Sequence, residues 1–280
     1  MWEIGASACG RSYLPDNIFG EYNKAGIKYM EIAFRFPKKH EGITPDEEFR
    51  WYTSINTKSV VLQAEKHGIN LWSMHLPFGH AYYNIASVNS DEREYTIKKH
   101  TEIIKNSSDL GVKYVVIHPS GESVLDEKRE ENMKIALDSL NRLSKCANEA
   151  DIVLAVENLP RTCLGKNSEE IKKLLEADSS LRVCFDVNHL FNESHRDFVK
   201  NVGEKIVTLH ISDYDFMDEK HWFPGEGGID WKELIGLLKS INYCGPFMNE
   251  IACKISGEDS PLRTYAELYE TNSKLLDKYF

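Results

Sequence analysis

The strongest constraint in this 280-residue sequence is a pattern that recurs eight times. A short apolar, β-branched run leads into a polar turn, then a stretch with helical spacing, then glycine or asparagine and the next run. The runs are Trp2–Ala6, Lys28–Ala33, Asn70–His75, Lys113–His118, Ile152–Glu157, Leu181–Asp186, Lys205–His210 and Pro246–Glu250. In Tyr114-Val115-Val116-Ile117 and Ile152-Val153-Leu154-Ala155-Val156, apolar residues follow one another without alternation. A strand of that kind is buried on both faces, the habit of parallel sheets covered by helices. Between the runs, Met133, Ala136, Leu137, Leu140, Leu143 and Ala147 recur at three and four residues and share one helix face. Trp231, Leu234, Ile235, Leu238 and Ile241 do the same behind Asp230, a good N-cap. Gly26, Gly68 and Gly111 repeat one punctuation, in which a glycine in the left-handed conformation ends a helix before a strand begins. Eight units in 280 residues leave 35 for each, and no Pro/Ser/Gly linker divides them. The pattern predicts one α/β domain over 1–280, a closed (β/α)8 TIM barrel.

Several classes fall away. No Gly-x-Gly-x-x-Gly follows the first run, so a dinucleotide fold loses its main support and no nucleotide cofactor is expected. With 34 basic and 44 acidic side chains the formal charge is −10, which argues against holding nucleic acid on a broad basic face. No apolar run approaches the roughly 18–20 residues of a membrane span, and Met1-Trp2-Glu3-Ile4-Gly5 lacks a signal-peptide pattern. A cytoplasmic protein is therefore expected. The six cysteines lie far apart with no Cys-x-x-Cys pair and read as reduced, mostly buried thiols.

The chemistry lies where the runs end. Strand two ends near Glu31, three with His75, four with His118, five with Glu157, six with Asp186, seven with His210 and eight with Glu250. In a parallel barrel the C-terminal strand ends form one mouth, so residues 24 to 44 positions apart converge. Several carboxylates gathered there without a counter-ion would repel one another, and a divalent metal removes that penalty. Glu157, Asp186, His210 and Glu250 offer three carboxylates and one imidazole, an oxygen-rich set suited to Mn²⁺ or Mg²⁺, or to Co²⁺ or Zn²⁺ through the imidazole. One such ion is expected.

His189, three residues after Asp186, reads as a substrate or supporting ligand. His75 and His118 stand open between a further metal, substrate hydroxyls and packing, with substrate contact the leading reading. Two connections are long, about Arg35 to Thr53 and Ile211 to Ile229, and both leave the C-terminal ends of strands as covers of an active site would. The second carries Asp218, His221 and Trp222 before Pro224-Gly225-Glu226-Gly227-Gly228-Ile229-Asp230-Trp231. Trp72, Phe34, Phe78 and Trp222 are candidates for apolar walls or for core. His40, His67, His80, His100 and His195 read as packing or solvated histidines.

Ser-Met-His-Leu-Pro-Phe, Val-Val-Ile-His-Pro-Ser, Val-Glu-Asn-Leu-Pro, Phe-Asp-Val-Asn-His, Leu-His-Ile-Ser-Asp, His-x-x-Pro-Gly-Glu-Gly-x-Ile-Asp-Trp and Asn-Glu-Ile together resemble the xylose isomerase-like barrel superfamily, most closely its sugar phosphate isomerase/epimerase branch. The likeness implies a metal-dependent isomerase or epimerase acting on a sugar or sugar phosphate, a small carbohydrate partner and, as in many such barrels, self-association into a homo-oligomer. It implies Glu157, Asp186, His210 and Glu250 as metal ligands. Glu157 and Glu250 become the acid and base on opposite faces of the substrate, with His189 where a substrate-holding histidine is expected. His75, His118, His221, Glu31 and Trp222 complete the substrate-binding candidates read from the residues themselves. Ketose epimerases carry an arginine shortly after the strand-seven histidine, where this chain has Phe216 and Met217. The superfamily also contains lyases and dehydratases acting on glycosides or inositol. Its endonuclease IV-type repair enzymes hold three zinc ions in a larger set, which His75, His118, Glu157, Asp186, His189, His210, His221 and Glu250 resemble, with Asp218 offset in spacing from His221.

Overall fold

The computed structural model describes residues 1–9, 14–15, 17–34, 45–78 and 83–280. Its strands are β1 (Ile4–Ser7), β2 (Tyr29–Ile32), β3 (Asn70–His75), β4 (Tyr114–Ile117), β5 (Val153–Glu157), β6 (Arg182–Asp186), β7 (Ile206–His210) and β8 (Phe247–Asn249). Each lies inside one of the eight apolar runs, apart from β1, which runs one residue further to Ser7. All neighbours pair in parallel in the order β7-β6-β5-β4-β3-β2-β1-β8. The ring closes just past β7, where Ile211 N–H donates to the Met248 carbonyl at 2.8 Å and the Ile211 carbonyl accepts from Glu250 N–H at 3.1 Å. This is the eight-stranded parallel barrel that the recurrence predicts.

The helices are α1 (Ile18–Ala25), α2 (Pro45–Thr53), α3 (Thr57–His67), α4 (Ser90–Ser108), α5 (Arg129–Glu149), α6 (Ser168–Leu175), α7 (His195–Val202), α8 (Trp231–Ser240) and α9 (Tyr265–Tyr279). No helix among the described residues is long and apolar enough to cross a membrane. Helix α2 corrects one expectation, since the connection read as loop from about Arg35 to Thr53 contains a helix from Pro45 onward. Its remainder, with His40, lies outside the described residues, as does His80. Gly26 and Gly68 cap α1 and α3 at φ +93° and +64°. Gly111, also left-handed at φ +70°, instead follows a turn after α4 has ended at Ser108.

Strand alternation sorts the runs into two layers. Val115 and Ile117, Leu154 and Val156, Val183 and Phe185 join the main core with the apolar helix faces, including Ala136, Leu140 and Leu143 of α5. A fully buried aliphatic side chain of this kind contributes about 1.5–3 kcal/mol. The intervening Val116, Ala155 and Cys184 form a separate small cluster. One pleat further along the same strands, the side chains become Glu157 and Asp186, so the floor of the mouth is apolar and its rim is ionisable.

The β7–α8 connection is built around Asp213. Its Oδ1 accepts from the backbone N–H groups of Tyr214 (2.9 Å) and Ile229 (3.2 Å), and its Oδ2 from Gly225 N–H (2.8 Å) and Trp231 Nε1–H (3.1 Å). An antiparallel bridge between Asp213 and Trp222 fixes the loop's return, with N–O distances of 2.8 and 3.0 Å. Gly227 nests against this hub, and a Cβ there would stand 2.3 Å from the Tyr214 carbonyl oxygen and 2.4 Å from Asp213 Oδ1. Gly227→Ala is therefore expected to cost about 2–3 kcal/mol and to lower Tm by roughly 5–10 °C, read by calorimetry. An unchanged Tm would mean that the loop relaxes around the methyl group without cost.

Candidate metal centre

The four strand-end residues read as metal ligands meet at one point. One donor atom from each of Glu157, Asp186, His210 and Glu250 lies within 4.8 Å of the others, and all four residues are buried. His210 Nδ1 stands 3.1 Å from Glu157 Oε1, 3.5 Å from Glu250 Oε2 and 3.8 Å from Asp186 Oδ2. Its other nitrogen is committed elsewhere, with Nε2 3.1 Å from Glu31 Oε1, whose partner oxygen accepts from Ser73 Oγ at 2.8 Å. A carboxylate behind an imidazole fixes the ring's orientation and leaves the facing nitrogen free to ligate. Glu31, expected at the substrate, thus lies fully buried beneath the centre as the support of His210.

The strand-end asparagines also support the ligands. Asn158 Oδ1 accepts from Asp186 N–H and its Nδ2 donates to the Asp186 carbonyl, both at 2.8 Å, tying β5 to β6. Asn188 N–H donates to Asp186 Oδ1 at 2.6 Å. Asp186 Oδ2 is left buried with no hydrogen-bond partner. An unmatched carboxylate oxygen beside two more carboxylates and an imidazole nitrogen that faces all three is a donor set a divalent cation would complete, so the residues fit one.

Other close groups of possible ligands adjoin this centre, among them the two that follow. His75 Nε2 and His118 Nε2 converge on Glu157 Oε2 at 3.0 and 3.2 Å, while His75 Nδ1 is held by the Leu76 carbonyl at 2.7 Å. On the other side, His189 Nδ1 is 2.9 Å from the Asn158 carbonyl oxygen, and its buried Nε2 has no hydrogen-bond partner. That nitrogen faces Glu219 Oε1 at 3.8 Å, and Glu219 Oε1 also accepts from His221 Nε2 at 2.8 Å. Both triads, His75–His118–Glu157 and His189–Glu219–His221, have donor atoms spaced closely enough to hold an ion. Glu219 occupies the place expected of Asp218. Asp215 Oδ1 caps the N–H groups of Met217 and Asp218, and the Asp218 side chain pairs with Arg161 at the exposed rim, whereas the longer side chain one residue on reaches the histidines.

These residues line a cavity of about 470 Å³ together with Cys9, Phe34, Phe78, Arg161, Lys220, Ile251, Ala252 and Leu262. His118, His189, His221, Glu157 and Glu250 reach its surface, while His75, Asp186 and His210 lie behind it. Of the four aromatics open between wall and core, Phe34 and Phe78 line the cavity, and Phe34 also belongs to the main core. Trp72 instead donates to Thr208 Oγ1 at 3.2 Å and packs on Tyr29 and Tyr114, and Trp222 does not line the cavity. Phe216 packs on Tyr214, and Met217 is 84% exposed, so neither replaces an arginine. The guanidinium in this cavity comes from Arg161, which carried no signal beyond following Leu159-Pro160. A larger groove of about 950 Å³ between α6, α7 and α8 gathers no comparable acid–base set. His100 and His195 are packing residues, with burial pushing the first down to about 3 and lowering the second. All six cysteines are free.

The electrostatics follow from burial. Desolvation drives Asp186 up to about 7, aided by Glu157 and Glu250 and opposed by His189. Burial also works against charge on Glu157, yet His210 and His118 outweigh it and hold this carboxyl well below the usual range. For His189 desolvation again opposes the charge, and Asp186, Glu219 and Glu157 raise it to about 10. Both Asp186 and His189 bind protons more tightly folded than unfolded, so their stabilisation is present at low pH and fades as pH rises through about 7 and about 10. A cation held by Glu157, Asp186, His210 and Glu250 would have to displace the Asp186 proton, so its pH dependence between 5.5 and 8 has the opposite sign. The rise in Tm on adding Mn²⁺ is expected to be several degrees larger at pH 8 than at pH 5.5, read by thermal unfolding at the two pH values. An equal rise at both would rule out proton-coupled binding.

The description "Xylose isomerase-like TIM barrel" belongs to a family model that matches residues 19–277. Among curated relatives, the uncharacterized protein MJ1311 of Methanocaldococcus jannaschii is 29% identical over 184 residues, 61% of this chain and 61% of its own length. D-psicose 3-epimerase of Enterocloster bolteae is 31% identical over 121 residues, 41% of this chain and 38% of that protein. Probable endonuclease 4 of Mycoplasmoides gallisepticum is 23% identical over 286 residues, 94% of this chain and 90% of that protein. The matches to the first and third of the leading curated relatives thus cover less than two thirds of those proteins. A crystal structure of a D-tagatose 3-epimerase-like protein shares the fold with a TM-score of 0.77 at 20% identity, covering 99% of this chain and 98% of that one. From the closed parallel barrel and a family match along nearly its whole length, the chain belongs to the xylose isomerase-like TIM barrel family.

Proposed function

We propose that this protein is a divalent-metal-dependent isomerase or epimerase acting on a small carbohydrate or sugar phosphate. The observation that supports the reading most is that two carboxylates, Glu157 and Glu250, reach one cavity from either side of His210, at 3.1 and 3.5 Å from its Nδ1. A pair of positioned carboxylates suits removal of a proton alpha to a carbonyl and its return to the other face or the neighbouring carbon. A divalent ion held by Glu157, Asp186, His210 and Glu250 would polarise the substrate carbonyl and stabilise the charge that deprotonation creates.

The chain's own residues divide the proton work unequally. Glu157 accepts from or faces three imidazoles, His75, His118 and His210, within 3.2 Å, and that company keeps it ionised and weakly basic. Glu250 has only the longer approaches of His210 at 3.5 Å and His221 at 3.8 Å. Glu250 is therefore the first proton acceptor in this reading and Glu157 the partner across the substrate. His118 and His189 orient substrate oxygens, while Phe34, Phe78 (packed on the His118 ring at 4.6 Å) and Ile251 give the cavity an apolar lining that excludes water. Glu250→Gln is expected to reduce exchange of substrate C–H with solvent deuterium by at least a thousandfold, measured by NMR on a panel of ketoses and ketose phosphates that the wild type labels. Exchange at the wild-type rate would end the assignment.

A second reading is favoured by one observation, the two additional triads around Glu157 and Glu219. Three ions about one cavity suit hydrolysis of a phosphate ester, and relatives that include probable endonuclease 4 support that alternative. Chelator-sensitive nicking of a duplex with an abasic site would favour it. Uptake of one equivalent of metal with no nicking favours the carbohydrate enzyme.

A further inference from the structure

Arg161 sits at the lip of the cavity, one residue past Pro160 in the β5–α6 loop, with its backbone in the left-handed region at φ +52°. A non-glycine residue holds that conformation when its surroundings over-determine it. Here the surroundings are three carboxylates from two other loops. Nε and Nη2 form a two-pronged pair with Glu122 Oε1 and Oε2 of the β4–α5 loop at 2.7 and 3.0 Å. Nη1 bonds Asp218 Oδ1 at 2.9 Å, and Nη2 bonds Glu219 Oε2 at 3.1 Å, both in the β7–α8 loop. A lone surface ion pair contributes little, but a bidentate, multi-carboxylate network restrains geometry far more.

The network is arranged across the mouth. β5 and β7 are not neighbours in the barrel, and β6 lies between them, so the guanidinium spans the loop that carries His189. It engages only one oxygen of Glu219. The other oxygen accepts from His221 Nε2 at 2.8 Å and stands 3.8 Å from the unpartnered Nε2 of His189. His221 is itself left-handed, at φ +51°, and its Nδ1 lies 3.1 Å from the Glu250 carbonyl oxygen. Glu219 is thus held between the Arg161 guanidinium on one oxygen and His221 on the other, next to His189.

We infer that Arg161 is a positioning residue, a clasp that ties the β4–α5, β5–α6 and β7–α8 loops over the cavity and turns Glu219 toward His189 and His221 so that these three hold a cation as one group. The cation at His189, Glu219 and His221 rests on the second, three-ion reading above, whereas the clasp that Arg161 makes rests on neither reading.

The test compares full-length wild type with Arg161→Met and Arg161→Lys, first by hydrogen–deuterium exchange without added metal and then by Co²⁺ titration followed in the visible spectrum. Arg161→Met is expected to speed exchange of backbone amides in residues 214–222 at least tenfold, leaving peptides from β5 and β6 at the wild-type rate. It should weaken uptake of Co²⁺ beyond the first equivalent at least fivefold while the first equivalent binds as before. Arg161→Lys, which keeps the charge but not the fork, should restore part of both. Unchanged exchange in 214–222 would overturn the clasp, as would exchange that rises evenly throughout the barrel. A wild type that takes up a single Co²⁺ equivalent would overturn the cation group while leaving the clasp to be decided by exchange.

Discussion

Glu157 brings a negative charge to the closed end of a protein cavity, and the surrounding site is arranged to keep it there. Withdrawing a carboxylate from water costs several kcal/mol unless charge and hydrogen bonds replace the solvent. Three imidazoles do so, two on one oxygen and one on the other, and they belong to β3, β7 and the strand end of β4. Each imidazole needs its own fixed environment, which the Leu76 carbonyl gives His75 and Glu31 gives His210. The support therefore propagates from one carboxylate to four strands. Asp186 is the opposite case, a carboxyl placed among carboxylates with one oxygen unmatched, an imbalance that a cation would relieve.

The barrel can host this cluster because its strands present two chemistries on alternate residues. Leu154 and Val156 face the helices, while Ala155 and Glu157 face inward. Small inward side chains at Ala155 and Cys184 fill the floor and leave room above for longer ionisable groups. Polar residues at the strand ends are tolerable only because they satisfy one another across the mouth, and each would be a buried unpaired group in isolation.

Much of what looks catalytic in the motifs is scaffold. Asn158 and Asn188 hold Asp186, and Asp213 gathers three backbone N–H donors of its own loop and the Trp231 indole at the start of α8. Gly227 is required by the space that loop leaves. The chemistry is concentrated in fewer residues than the motifs contain, and the rest keep those residues in register with one another.

The order of runs and helices carried the barrel, since an unalternating apolar strand has few ways to be buried except between helices in a parallel sheet. The same register put Glu157, Asp186, His210 and Glu250 at successive strand ends, and strand ends in such a barrel have one place to go. Loops were less legible. The stretch before Thr53 held a helix that no strong apolar stripe announced, and Glu219 rather than its neighbour Asp218 turned inward because an Asp215 cap set the local backbone. Glu31 was visible as a strand-end acid, but only the folded molecule put His210 and Ser73 around it. Local sequence determined which residues form strands and which way they alternate, because those are set by spacing along the chain. Which side chain meets which across the mouth, and the meeting of Arg161 with Glu122 and Glu219, were decided by tertiary structure, because contacts between loops depend on how distant strands are brought side by side.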